Sequence, residues 1–195
     1  MALASELSYS FADTLNWENE EQIELIDGEI SLMATPLRVH QEILSALFLQ
    51  IANYLSGKQC RVYPAPFAVR PFEKEGDAPE DVDTMLEPDI TVVCDPAKLD
   101  KYRCKGAPDM VIEILSPSTR RKDLRIKYQI YQRAGVQEYW IVDPENRSVK
   151  VYHNIEGKFT VGDEYKINSD KTEIKVSIFE DLVVDIRNIF KWWLN

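Results

Sequence analysis

Residues 110–142 read MVIEILSPSTRRKDLRIKYQIYQRAGVQEYWIV, and this stretch decides the fold. Met110–Leu115 is apolar except for Glu113, as expected of a strand covered on both faces. Ser116-Pro117-Ser118-Thr119 interrupts the run. Ser118 or Thr119 can cap a helix continuing to about Ala134, where Gly135 supplies the stop. Tyr139–Val142 (YWIV) is a second buried strand. Two strands joined by a helix of this length pair in parallel, because a crossover rather than a hairpin connects them. The domain built around this unit is α/β.

Working outward, Asp89–Cys94 (DITVVC) is another apolar run and a further central strand. Ile23–Met33 (IELIDGEISLM) predicts a hairpin turning at Asp27-Gly28. Thr35 as N-cap and Pro36 at the first helical position open a helix. Ile43, Leu44, Leu47, Phe48, Ile51 and Leu55 recur along it at helical spacing, and Gly57 ends it. Arg61–Tyr63 and Phe67–Phe72 are strand-like, and Glu73–Asp83, with six acids, is an exposed loop. Ser148–His153 pairs with Lys158–Val161 as a second hairpin, and Ile178–Ile186 and the terminal IFKWWLN supply a last strand and a docking helix. The expected fold is a mixed central β-sheet flanked by helices, with an added N-terminal hairpin and a C-terminal β-hairpin. Residues 1–20 read as a loosely attached arm, and 21–195 as one domain.

The chain of 195 residues carries a net charge of −10, which excludes a protein that merely coats nucleic acid. The charge is uneven. Lys98–Arg133 holds ten Lys/Arg against four Asp/Glu, while the remainder holds 13 against 29. A basic segment within an acidic protein can steer a polyanion to one face, although solvated helix surface is the plainer reading. No window is apolar enough to span a membrane, and residues 1–20 lack a secretory pattern, so a cytoplasmic protein is expected. Cys60, Cys94 and Cys104 are far apart in sequence and support neither a disulfide framework nor a zinc cluster.

Most acids lie in polar stretches, but Asp89 opens an apolar strand and Glu113 stands inside one. A buried carboxylate costs several kcal/mol unless it meets a cation or hydrogen-bond donors. Two acids converging from adjacent strands suit a hard divalent ion, completed by waters and phosphate oxygens. Asp109 competes for the aspartate role, but four residues along one strand separate it from Glu113 by roughly 13 Å. Asp89 is therefore the partner, and Asp109 a capping or loop residue. On the following helix Leu124, Tyr128 and Tyr131 form an apolar stripe with Lys127 inside it. Lys127 is either a snorkelling stem or a group reaching Glu113. His40 shares the face of Ile43, Leu44 and Leu47, which leaves core and auxiliary roles open. Glu24 and Glu29 flank the hairpin turn and are candidate auxiliary acids, while His153 alternates with Val149 and Val151 as a sheet residue. No nucleophile elbow, P-loop or dinucleotide fingerprint is present.

The ordered pattern resembles the Uma-two family of bacterial proteins, predicted nucleases of the PD-(D/E)XK superfamily. Its parts are Pro88-Asp89, Glu113 to Thr119 (EILSPST), Asp123 followed by Lys127, and Gly135 to Pro144 (GVQEYWIVDP). The Glu24–Glu29 segment (ELIDGE) and His40 are similar too, so the resemblance covers roughly residues 20 to 190. It implies a restriction endonuclease-like core and metal-dependent phosphodiester cleavage. Mg²⁺, or Mn²⁺ in its place, would be held by Asp89, Glu113 and the Ile114 carbonyl, with DNA as substrate. The superfamily lysine stands two residues after the glutamate, where this chain has Leu115. The resemblance places that role on Lys127.

A catalytically silent binding or dimerisation module on the same fold is the alternative, favoured by the acidic bulk and by Leu115. Cleavage of both strands of a duplex calls for a homodimer, to which Ile189, Phe190, Trp192 and Trp193 could contribute.

Overall fold

A short helix α1 (Phe11–Leu15) opens the computed structural model, which describes residues 8–15, 17 and 22–191. Phe11 is buried against Leu25, Ala68, Val82 and Met85, and its amide donates to the Val82 carbonyl at 2.7 Å. Over residues 8–15, then, the expected loose arm is packed onto the domain. Strands β1 (Ile23–Ile26) and β2 (Glu29–Leu32) form the expected hairpin. Asp27 and Gly28 both have positive φ, 49° and 82°, as a turn matched to strand twist requires. A Cβ on Gly28 would stand 2.2 Å from Ser8 Oγ, so this turn is also where the N-terminal segment approaches the hairpin.

Helix α2 (Arg38–Leu55) starts later than Thr35-Pro36 suggested; Leu37 is its N-cap and no side chain caps it. Thr35 and Pro36 instead line a cleft beside the helix. Ile43, Leu47 and Ile51 are at most 1% exposed, each contributing roughly 1.5–3 kcal/mol by burial. There follow β3 (Arg61–Pro64), β4 (Val69–Arg70), β5 (Ile90–Val93), β6 (Leu99–Asp100), β7 (Arg103–Lys105) and β8 (Met110–Ile114). The strand expected over Phe67–Phe72 is thus only its middle pair. A helical crossover from Arg120 to Ala134 leads to β9 (Glu138–Asp143). Its second half is α3 (Tyr128–Ala134), closed by Gly135 in the left-handed conformation. The chain ends in β10 (Ser148–Ile155), β11 (Lys158–Lys166), β12 (Glu173–Lys175), β13 (Val183–Asp185) and α4 (Ile186–Phe190).

The central sheet has six strands in the order β11-β10-β9-β8-β5-β3. Within it β8 and β9 are parallel, as the 110–142 unit requires, and the other neighbours are antiparallel. Alternation along β8 sends Met110, Ile112 and Ile114 to the face covered by α2. Val111 and Leu115 go to the face covered by Ile130 and Tyr131 of the crossover. Glu113 falls between them on that second face.

Four further expectations are corrected. Cys60 and Cys94 form a disulfide: β3 and β5 pair with Arg61 opposite Val93, which brings residues 34 apart in sequence face to face. Ile189 and Phe190 are 1% and 0% exposed in the α2 core and so cannot meet a partner, while Trp192 and Trp193 lie outside the described residues. The crossover helix is not regular. Lys122–Lys127 is a π-helical segment, and its extra residue rotates Leu124 out of the expected stripe to 39% exposure. Ser116, rather than Ser118 or Thr119, accepts the capping bond, from the Thr119 amide at 3.2 Å.

Candidate active site

Ile90 of β5 lies opposite Ile112 of β8, so the same register carried one residue on sets Asp89 across from Glu113. Asp89 then turns at the strand end. Its Oδ2 accepts from the Ile114 amide at 2.7 Å, and His40 Nε2 lies 3.1 Å from Oδ1. Glu113 Oε1 accepts from Lys127 Nζ at 2.9 Å and from the Tyr131 hydroxyl at 2.7 Å. Lys127 also meets Glu24 at 2.7 Å and Asp123 at 3.7 Å. The Asp89–Glu113 pair, Lys127, His40 and Glu24 therefore converge. Glu29 is exposed on the hairpin and does not line the cleft. Asp109 binds the Cys94 amide at the far end of the strands, as a loop residue would.

These groups line a cleft of about 620 Å³ between the hairpin, the start of α2 and the crossover helix. Glu24, at 1% exposure, ties the hairpin to the helix by accepting from Lys122 at 2.9 Å; Lys122 also donates to Ser31. Glu24 reads in the sequence only as an acid beside a turn. Lys122 is half-buried, and nothing local marks it or Asp123 as part of a site. Asp123 and Lys127, four residues apart, share the helix face turned to the sheet, at 2% and 3% exposure, while the π-helical segment leaves Leu124 and Ile126 off that face.

The cleft holds five carboxylates (Glu24, Glu87, Asp89, Glu113 and Asp123) against Lys122 and Lys127. Burial pushes the Glu113 carboxyl well up, Lys127 pulls against that, and Asp123, Asp89 and Glu24 push it further. Burial also raises Glu87 and Asp123. Burial alone would raise Glu24 as well, but Lys127 and then Lys122 outweigh it and the net shift is downward. For Lys127 burial favours the neutral amine, yet Glu113, Glu24 and Asp123 overcome it and hold the ammonium. Two enclosed carboxylate oxygens, Glu87 Oε2 and Asp123 Oδ1, have no hydrogen-bond partner.

Unpaired oxygens and surplus negative charge fit a hard divalent cation. Among the described residues no group of three or more His, Cys, Asp or Glu is arranged as a protein cage for a metal. The fit is to an ion of the Mg²⁺ kind, which keeps several waters and takes one or two carboxylates. Thiolate ligation is excluded for Cys104, since it is buried and its thiol is pushed up to about 12, chiefly by burial.

A family model described as "Putative restriction endonuclease" matches residues 11–187. The chain belongs to the Uma2 family. Among known proteins, the uncharacterised protein slr1290 of Synechocystis sp. is 28% identical over 178 residues, spanning 88% of this chain and 87% of its own. Among solved structures, a "putative nuclease" of the DUF820 group from Anabaena variabilis superposes with a TM-score of 0.70 at 22% identity. The match covers 94% of this chain and 98% of that one. This likeness shows the shared fold, restriction endonuclease-like, which the Uma2 chain builds around β5, β8 and β9. No helix among the described residues is long and apolar enough to cross a membrane.

Proposed function

We propose that this Uma2 protein is a metal-dependent endonuclease that hydrolyses phosphodiester bonds of DNA. The observation carrying the reading is the meeting of Asp89 and Glu113 at adjacent strand ends, with Lys127 Nζ 2.9 Å from Glu113. Asp89, Glu113 and the Ile114 carbonyl would hold Mg²⁺ or Mn²⁺. Such an ion supplies Lewis acidity toward a phosphate and lowers the pKa of a bound water.

The chain's own groups do the rest. The Ile114 amide and His40 fix the Asp89 carboxylate. Lys127, kept as an ammonium, cannot take a proton from water; it stabilises charge developing on the phosphate. Exposed Arg121 and Arg125 on the crossover helix offer contacts to the flanking backbone. The silent-module alternative drew on Leu115, and a helix-borne lysine beside Glu113 weakens that objection. A homodimer would supply the second site for the complementary strand.

The test is incubation of purified protein with closed circular DNA, linear DNA and RNA, with Mg²⁺, Mn²⁺ or chelator. Nicking of the circles in divalent ion, stopped by chelator, is expected. No cleavage of any nucleic acid with either ion would reject the reading.

A further inference from the structure

We propose that Asp123 is a third acid of the cation site formed by Asp89 and Glu113, acting not as a direct ligand but by accepting a hydrogen bond from a water that the ion coordinates. The inference rests on the metal-dependent reading above. Asp123 is 2% exposed and lines the cleft, yet its Oδ1 has no hydrogen-bond partner. The nearest cation is Lys127 Nζ at 3.7 Å, and that ammonium already serves Glu24 at 2.7 Å and Glu113 at 2.9 Å. A carboxylate enclosed and left one partner short is a poor packing residue and a ready acceptor for a coordinated water.

The backbone around it argues in the same direction. Across the π-helical segment the chain buries Asp123 and Lys127 while leaving Leu124 and Ile126 at 39% and 46% exposure. Stability alone would favour the reverse. A rare backbone form that inverts the apolar pattern persists where the residues it turns inward have work to do. One ammonium, that of Lys127, reaches both Glu113 and Asp123, so Asp123 stands on the Glu113 side of the cleft. An all-oxygen set of this kind selects Mg²⁺ or Mn²⁺.

The test is Mn²⁺ binding by calorimetry on the full chain, comparing the parent with Asp89→Asn and Asp123→Asn. Asparagine keeps the volume and removes the charge. Asp123→Asn should weaken Mn²⁺ about tenfold or more, with the melting temperature little changed. If Asp89→Asn loses binding while Asp123→Asn keeps the parental affinity, this proposal is overturned and the metal reading stands. If Asp89→Asn binds like the parent, or the parent binds no Mn²⁺, the metal reading fails and this proposal with it. Should Asp123→Asn not fold, the parent crystallised with Mn²⁺ decides. An anomalous peak within roughly 5 Å of Asp123 Oδ1, the reach of one coordinated water, supports the water-mediated role; a lone water there overturns it.

Discussion

Lys127 spans three carboxylates at 3% exposure, and its loss would be felt twice. Lys127→Met keeps the apolar stem and removes the charge, leaving Glu24 and Glu113 buried with a partner fewer. Breaking a buried pair in this way costs about 3–5 kcal/mol. The variant should therefore melt lower in chelator, and its kcat on DNA should fall about 10²-fold or more. Parental rates would reduce Lys127 to a structural ion-pair partner.

Asp143 provides a contrast outside the site. Burial would raise its carboxyl, but Arg120 at 2.8 Å and Asn146 outweigh it, so the folded value lies below the unfolded one. The stability it contributes is full above the unfolded value of about 3.9 and is lost as pH falls through the folded value. Asp143→Asn should cost about 1 kcal/mol at neutral pH. In urea titrations the difference from the parent should close in strong acid. A difference independent of pH would assign the loss to packing.

At the scale of elements, the crossover helix is where sequence and structure part. Apolar runs broken by a single charge made β5, β8, Asp89 and Glu113 legible, because a lone carboxylate in such a run demands a partner. Ideal geometry also put Lys127 near Leu124 and Tyr131, about 60° and 40° away. No local pattern announces the π-turn, however, and without it Leu124 should pack inward; Asp123 shares the face of Lys127 in either geometry but stands in a polar stretch, without the apolar run that marked Asp89 and Glu113. Nor could sequence spacing show that Cys60 and Cys94 meet, since strand register decides that. Deleting exposed Ile126 should return Lys122–Lys127 to ordinary helical phase, swinging the residues before it by about 100°. The circular dichroism spectrum should hardly change while cleavage is lost. Retained cleavage would mean that the π-turn does not position the site.

For the whole molecule, the net charge of −10 and a cleft with more carboxylates than lysines look unsuited to a polyanion. On the proposed reading, a divalent ion held among the carboxylates would reverse that local field, with exposed Arg121 and Arg125 beside it on the crossover helix. The central claim is that Asp89 and Glu113 form one cation-dependent cleavage site. The most direct test is nicking of closed circular plasmid in Mg²⁺ by the parent, Asp89→Ala and Glu113→Ala, each checked for folding by its melting curve. The account predicts a cutting parent and two folded variants that do not cut. Folded variants that nick at the parental rate would contradict it.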